Sequence, residues 1–213
     1  MIVLKFEKTS TAALAAHVDT LRAVTRIFSR ANVGVQYSQG YNPHMELGFS
    51  APLALGVESL CEYVSAKTDY VDGIVEGLNA VCPQGITFTA VFCADVNLAA
   101  IVSRATYRVE AAGIGDVVSE VTADNYEITY LDKGKPVVKD VSSRIFEAIR
   151  ESANSALITL AVGNDNLRPD RLVCHLLKAH GLTGDYRITK IQSFVNATPT
   201  DTYLQSVEKE QSK

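Results

Sequence analysis

One connection gathers many of the side chains in this chain that could hold a planar ring. The stretch from Gln36 to His44, Gln-Tyr-Ser-Gln-Gly-Tyr-Asn-Pro-His, contains two tyrosines, three side-chain amides and one of the four histidines. Tyr41 and His44 could stack on a base or a cofactor ring while Gln39 and Asn42 hydrogen-bond to its polar edge, as proteins commonly do with single-stranded RNA. Because binding residues tend to lie on loops held by a rigid scaffold, we predict a binding loop here.

A second interpretation of the same stretch involves no ligand. The amides of a folded loop can hydrogen-bond to its own backbone, and its aromatic rings can cover the core. Gly40 would then only supply a positive φ. The sequence leaves both interpretations open.

Histidine chemistry is the next possibility, because His17 precedes the loop and His44 ends it. Two histidines that converge can act as a general acid and a general base, as RNA cleavage or proton transfer requires. On a helical wheel, however, His17 falls within the apolar arc, where a hydrogen-bonded core residue is the commoner outcome. Sequence separation does not decide whether the two side chains meet.

Charged side chains form a second group of candidates. Arg22, Arg26 and Arg30 recur at intervals of four, which places them on one helical face where they could meet phosphate or an acidic partner. Asp19 is positioned to pair with Arg22, and exposed pairs of this kind stabilise little. A solvated helix face explains the arginines equally well.

Carboxylates and further histidines complete the candidates. Glu58 and Glu62 could act as bases or bind a partner's arginines, but a solvent-facing strand edge also explains them. His175 and His180 lie on a predicted last helix with two basic neighbours. His180 is near the end of that helix, where positive charge is favourable, so a structural role is sufficient.

Composition limits the classes of function. Hydrophobic residues make up 47% and charged residues 21% of 213 residues, typical of a globular protein. A net charge of −4 means that any RNA contact must be local, and no apolar run is long enough to span a membrane, so we expect a cytoplasmic protein. The cysteines lack metal or cluster spacing, and we expect reduced, mostly buried thiols at four positions: Cys61, Cys82, Cys93 and Cys174.

The hydrophobic pattern predicts an α+β fold. In the first half we expect strands at residues 2–7, 45–50, 60–67 and 86–93, with helices at about 11–31 and 69–81. The order strand, helix, strand, strand, helix, strand is the split βαβ arrangement of a ferredoxin-like sandwich, with an antiparallel sheet packed by helices.

A similar order recurs in the second half. Strands are predicted at residues 105–111, 126–131, 136–139, 156–162 and 186–195, and helices at 116–122, 142–152 and 169–180. We therefore predict two ferredoxin-like halves, 1–95 and 104–196, followed by a polar tail at 197–213, and we expect the end of that tail, from Ser206 to Lys213, to be frayed. Exposed sheet edges would allow homodimerisation.

Several short motifs resemble a known family when they are taken in order. They are Ala16-His17-Val18-Asp19, Arg22, Arg26, Arg30-Ala31, Tyr37 to His44, Ala51 to Ser59, Glu62, Leu78-Asn79 and Pro83-Gln84-Gly85-Ile86. The stretch from His17 to Ile86 resembles the DUF2344 or radical SAM-associated protein family. This chain departs from the family at Ala16, where serine is usual, and its second half matches only through Arg168-Pro169 and Arg187.

The resemblance implies association with a radical SAM protein in a setting close to RNA and ribosome functions. Since this chain has no cluster motif, any iron–sulfur cluster and S-adenosylmethionine would belong to the partner. We therefore expect a non-catalytic binding or accessory protein whose contact residues are Arg22, Arg26, Gln39, Gly40, Tyr41, Asn42, His44 and Glu58. The alternative is an RNA-processing or RNA-modifying enzyme with His17 and His44 as its acid–base pair.

Overall fold

A computed structural model describes residues 1–211 and divides them into two compact units. The first unit consists of residues 1–102 together with 194–211, and the second of residues 103–193. The chain thus leaves the first unit, builds the second and returns to the first.

The first unit is built on a ferredoxin-like sheet. In sheet order the strands run β4-β1-β3, with β2 paired to β3, and each of these pairings is antiparallel. This is the split βαβ order that the sequence predicts. The elements are β1 (Ile2–Lys8), α1 (His17–Arg30), β2 (Leu47–Phe49), β3 (Glu58–Ala66), α2 (Ile74–Asn79) and β4 (Ile86–Cys93).

The first helix is shorter than the sequence pattern predicts. Residues Ser10–Leu14 form a 3-10 turn instead, because Ser10 adopts a positive φ of 53° and Ala16 is extended. Leu14 is therefore 70% exposed and Val18 is also exposed, although a helical wheel puts both on the packing arc. The face that does pack on the sheet consists of Thr20, Val24, Ile27 and Phe28.

The C-terminal segment corrects the expectation of a frayed tail. Strand β11 (Thr198–Pro199) pairs with residues 194–195, and α6 (Thr200–Gln211) follows it. Leu204 of α6 is completely buried against Val3 and Tyr63 of the sheet. The sheet is thus covered on both faces, and for this reason β1 is buried along most of its length rather than on alternate residues. No helix among residues 1–211 combines the length and apolar composition that crossing a membrane requires.

The second unit repeats the ferredoxin-like order. Its sheet runs β10-β5-β9-β8, and β6 pairs with β7 in a separate hairpin inserted between the first helix and β8. The elements are β5 (Val102–Glu110), α4 (Ile114–Val117), β6 (Glu127–Asp132), β7 (Lys135–Asp140), β8 (Ile145–Ser152), β9 (Ser155–Ala161), α5 (Pro169–Ala179) and β10 (Arg187–Val195). The short helix α3 (Leu98–Ile101), immediately before β5, belongs to the first unit.

The prediction of a helix at residues 142–152 is wrong. Apart from a 3-10 turn at Ser142–Arg144, this stretch is strand β8, which pairs with β9 from Ile145 to Ser152 with two register shifts. The apolar spacing and the glutamate, alanine and arginine residues favour a helix locally. Pairing with β9 overrides that propensity, as tertiary contacts often do.

Candidate functional site

The base of the Gln36–His44 loop is fixed by hydrogen bonds. The Glu46 N–H donates to the Gln36 carbonyl at 2.9 Å, Tyr37 forms an antiparallel bridge with Met45, and the Ser38 N–H donates to the His44 carbonyl at 2.9 Å. The Ser38 hydroxyl lies 2.9 Å from His44 Nδ1 and accepts the His44 backbone N–H at 3.1 Å. The two ends of the loop are therefore held together by both main chain and side chains.

The loop is also anchored to the core on either side. Val35 before it and Met45 after it are buried in the cluster between α1 and the sheet. The backbone N–H of Gln36 donates to the carbonyl of Lys67 at the end of β3. This is the rigid support that a binding loop needs.

The tip of the loop faces solvent. Tyr41 is 100% exposed, and Gln39, Asn42 and Pro43 are exposed too. Within residues 1–211 neither the Gln39 nor the Asn42 amide makes a side-chain hydrogen bond. The interpretation in which these groups bond to the loop's own backbone and Tyr41 covers the core does not describe this arrangement. Gly40 has a φ of 139°, in the region that favours glycine.

A shallow groove of about 290 Å³ begins at His44 and continues along β2. Lys67 lines it, and the Lys67 ammonium lies 2.6 Å from the Glu46 carboxylate, which raises the pKa of Lys67 through that hydrogen bond. Gly48 of β2 leaves room for the Ser65 hydroxyl of β3, since a Cβ at position 48 would lie 2.6 Å from that hydroxyl. The groove residues are Met1, His44, Met45, Glu46, Leu47, Gly48, Ser65, Lys67, Asn97 and Leu98.

The arginines of α1 lie on its exposed face, as the helical wheel predicts. Arg22 pairs with Asp19 at 3.3 Å, and both side chains are more than half exposed. Arg26 and Arg30 are exposed as well. An exposed pair at this spacing contributes at most a few tenths of a kcal/mol, about 0.5 at low salt, so the face remains available to an anion.

Glu62 does not lie on a solvent-facing strand edge. It is 7% exposed and accepts a 2.7 Å hydrogen bond from the Ser59 hydroxyl. Glu58 is half-buried, and its carboxylate accepts the backbone N–H of Ser10 at 2.8 Å. Glu58 therefore fixes the 3-10 turn before α1, which gives this residue a structural contact in place of the predicted free one.

Two charged side chains, Lys8 of β1 and Glu62 of β3, act electrostatically on His17 at the start of α1. Lys8 is 2% exposed and donates to the Ala15 carbonyl at 2.8 Å. Burial lowers the pKa of Lys8, and the negative charge of Glu62 opposes that shift. The pKa of His17 is lowered overall, and burial is the largest cause. The negative charge of Glu62 raises this pKa, and the positive charge of Lys8 lowers it. The His17 ring packs edge-on against Phe49, with the ring centres 6.2 Å apart.

Lys8 is absent from the candidates drawn from sequence, although its position in β1 gives a signal. It follows Ile2, Leu4 and Phe6 at alternate positions, so it must point to the same face of the strand as these core residues. A lysine at such a position is buried and requires polar partners.

The structure places the two predicted acid–base histidines in different surroundings. His17 contacts Phe49 and lies among the charges of Lys8 and Glu62, whereas His44 contacts Ser38 and the groove along β2. No hydrogen bond or ring contact within residues 1–211 joins one imidazole to the other.

The histidines of the second unit have structural contacts. His175 Nδ1 accepts the Thr129 backbone N–H at 3.1 Å, and its ring packs edge-on against Tyr126. His180 Nε2 lies 2.8 Å from the Glu120 carboxylate, which also accepts the Tyr126 hydroxyl at 3.2 Å. Burial is the largest cause of the raised pKa of Tyr126, followed by the charge of Glu120. These contacts hold β6 against α5.

The cysteines differ in burial. Cys61 is buried, but Cys82, Cys93 and Cys174 are only half-buried, so the expectation of mostly buried thiols is right for one of the four. Burial raises the pKa of Cys82 and Cys93. Among residues 1–211, no three histidine, cysteine, aspartate or glutamate side chains are arranged to hold a metal ion.

Comparison with known proteins gives one family and a distant structural likeness. The family model described as "Uncharacterized protein conserved in bacteria (DUF2344)" matches residues 1–169. A search of curated proteins found no match. A solved structure titled "Crystal Structure of a Cbf5-Nop10-Gar1 Complex" is similar over 90% of this chain and 48% of the matched chain, with 12% sequence identity and a TM-score of 0.46. The chain thus spans about half the length of that solved chain.

Proposed function

The chain belongs to the DUF2344 family, and we propose that it is a non-catalytic binding protein that acts with a radical SAM enzyme, in RNA or ribosome-related modification. The observation that carries the proposal is the fully exposed Tyr41 at the tip of a loop whose base is fixed by Ser38 and His44. An exposed aromatic side chain on a preorganised support loses little entropy when it binds, which is why such residues dominate many interfaces.

The radical SAM enzyme enters the proposal through the sequence resemblance, which implies such a partner. In this proposal the iron–sulfur cluster and S-adenosylmethionine belong to that enzyme. This chain supplies the loop, with Gln39 and Asn42 as polar contacts beside Tyr41, and the exposed arginines of α1 as a cationic surface. Its contribution is to position a substrate or the enzyme, and no bond is made or broken on it.

Co-purification tests the proposal. The tagged full chain is recovered anaerobically from native cells, and the bound proteins are identified by mass spectrometry. We expect a radical SAM enzyme in the eluate, and we expect Tyr41→Ala combined with His44→Ala to reduce its recovery at least tenfold. Tyr70→Ala is the matched control, because Tyr70 is an exposed tyrosine of the same unit that lies outside the loop.

Two results would overturn this function. The first is a folded, tagged chain that recovers no radical SAM enzyme from those cells. The second is a partner whose recovery falls as much with Tyr70→Ala as with the loop variant. Circular dichroism of each variant establishes that the fold is intact.

The alternative of an RNA-processing enzyme needs both histidines at one reacting point. The different contacts of His17 and His44 give it less support than the binding function. Incubation of the chain with RNA, with the variants His17→Gln and His44→Gln beside it, separates the two functions. If the unaltered chain cleaves or modifies RNA without a partner protein, and if each variant loses that activity, the result would favour the enzyme.

A further inference from the structure

A cationic cleft in the second unit is formed by residues that the function proposed above does not use. It is about 150 Å³ in volume and lies between the β6–β7 hairpin and the start of α5. Its apolar floor consists of Ile128, Val141 and Leu167, together with the ring of Tyr130. The remaining lining residues are Lys139, Arg144, Asn166, Arg168 and Arg171. Four of these five are cationic, and no carboxylate lines the cleft.

The cleft is held in shape by contacts between the hairpin and α5. The Arg171 guanidinium stacks on the Tyr130 ring, 4.1 Å from its centre, and lies 3.6 Å from the Asp132 carboxylate. The bond from the Thr129 N–H to His175 joins the same two elements one helical turn further on. Ile128, Tyr130 and Lys139 lie on one face of the hairpin, since Ile128 pairs with Lys139 across it.

The four cations are neutralised to different extents. Arg168 is paired with Asp170 through both Nε and Nη2, and Arg171 is partly balanced by Asp132. Within residues 1–211, Lys139 and Arg144 have no carboxylate within 4 Å. The nearby Asp140 carboxylate accepts both the hydroxyl and the backbone N–H of Ser142; these bonds and, to a smaller extent, the charge of Arg144 lower the pKa of Asp140, so Asp140 partly balances Arg144. The cleft therefore carries an excess of positive charge on a chain whose net charge is −4.

We propose that this cleft binds backbone phosphate groups of single-stranded RNA, a choice of ligand that rests on the RNA-related function proposed above. The donors approach from three elements, namely β7, the turn before β8 and the start of α5, which suits the oxygens of a tetrahedral phosphate better than a planar carboxylate. The volume is below the several hundred Å³ typical of sites that enclose a whole small molecule. It accommodates one charged group while the rest of the strand lies outside.

The proposal does not depend on the Gln36–His44 loop, because every residue that it uses lies in the second unit.

Fluorescence anisotropy with a labelled twelve-nucleotide oligouridylate tests the proposal on the full chain at about 50 mM salt. We expect Lys139→Ala combined with Arg144→Ala to weaken binding at least tenfold. The slope of log affinity against log salt should also become shallower by about 0.7 for each phosphate group that the variant no longer neutralises. Lys133→Ala combined with Lys135→Ala is the charge-matched control, since both lysines are exposed at the turn of the same hairpin and outside the cleft.

Several outcomes would overturn the proposal. They are an unaltered chain that does not bind the oligonucleotide, a control variant that weakens binding as much as the cleft variant, and a poly-glutamate peptide that competes as well as unlabelled RNA. Arg144→Lys keeps the charge and should retain most of the affinity, which separates removal of a cation from misfolding of the hairpin. The Lys139→Ala, Arg144→Ala variant should still recover the radical SAM enzyme of the function proposed above, so failure here and failure of the loop function are distinguishable.

Discussion

The hydroxyl of Ser38 lies 2.9 Å from Nδ1 of His44, six residues further along the chain. The same hydroxyl accepts the backbone N–H of His44, so one short side chain closes the loop that carries Tyr41. We expect this contact to restrict the conformations in which Tyr41 is presented, and Ser38 can be substituted without altering the exposed tip.

Ser38→Ala should weaken partner binding while leaving global stability nearly unchanged. Each hydrogen bond removed at a partly exposed site is worth about 1 kcal/mol, which corresponds to roughly a fivefold loss of affinity when it preorganises the bound state. Amide hydrogen exchange at residues 39–44 should become faster. Ser29→Ala is the control, because the Ser29 hydroxyl bonds only to its own helix, at the Thr25 carbonyl. Equal affinities of the Ser38→Ala and unaltered chains would contradict the role of this contact.

His17 should make the protein less stable as the pH falls below its ordinary pKa of 6.5. Burial is the largest influence and lowers the pKa of His17 in the folded chain, so the unfolded chain binds the proton more readily. Stability should therefore decline as the pH falls from about 6.5 towards 5. In His17→Gln the melting temperature should change less over this range. The two proteins are also compared at about pH 8, where His17 is neutral in both the folded and the unfolded chain. A His17→Gln variant whose stability falls with pH as much as that of the unaltered chain would contradict the prediction.

Glu62→Gln should destabilise the first unit by about 1–3 kcal/mol, because it removes a negative charge beside the buried ammonium of Lys8. The loss should be smaller in a Lys8→Met background, where no buried cation remains at position 8. Glu76→Gln, at an exposed glutamate of α2, serves as the control and should change stability by less than about 0.5 kcal/mol. Urea unfolding measures the unaltered chain, the two single variants, the double variant and the control. Equal losses in both backgrounds would show that the two charges do not interact.

Leu204→Ala should cost about 2–4 kcal/mol, because the side chain is completely buried against the sheet. Asp201, one turn earlier, supports the same packing by accepting hydrogen bonds of 2.6 Å from both Lys5 and the Tyr63 hydroxyl. Leu131→Ala, at an exposed leucine of the second unit, should change stability little. A neutral effect of Leu204→Ala would favour a frayed C-terminus instead.

The sequence identifies elements whose signals are local. Strand β4 runs from Ile86 to Cys93 as predicted, since a run of β-forming residues follows the Pro83-Gln84-Gly85 turn. The loop at Gln36–His44 is recognisable from its composition alone. Helix α6 is not predicted because its sequence is polar apart from Tyr203, Leu204 and Val207. These three side chains stabilise the helix by packing on a face of the sheet, and no local sequence pattern shows that this face is there.

The charged sites are harder to predict for the same reason. The cleft takes its residues from four elements between Ile128 and Arg171, and nothing in their spacing joins Lys139 to Arg168. The neighbours of His17 depend on the register in which Phe6 faces Glu62 across β1 and β3. Such sites are properties of strand pairing, and they become visible only when the register is known.

The β6–β7 hairpin occupies the connection between the first helix and the second strand of its ferredoxin-like unit, and the Gln36–His44 loop occupies the same connection of the other unit. Strand registers in each sheet are set elsewhere, and the tips of both connections, at Gly40 and at Lys133-Gly134, are exposed, so these two tips can change in length and composition without disturbing the scaffold. They are accordingly the natural grafting points for protein engineering. A chimera that carries a foreign recognition peptide at either tip should fold, because the packed base of each connection is retained.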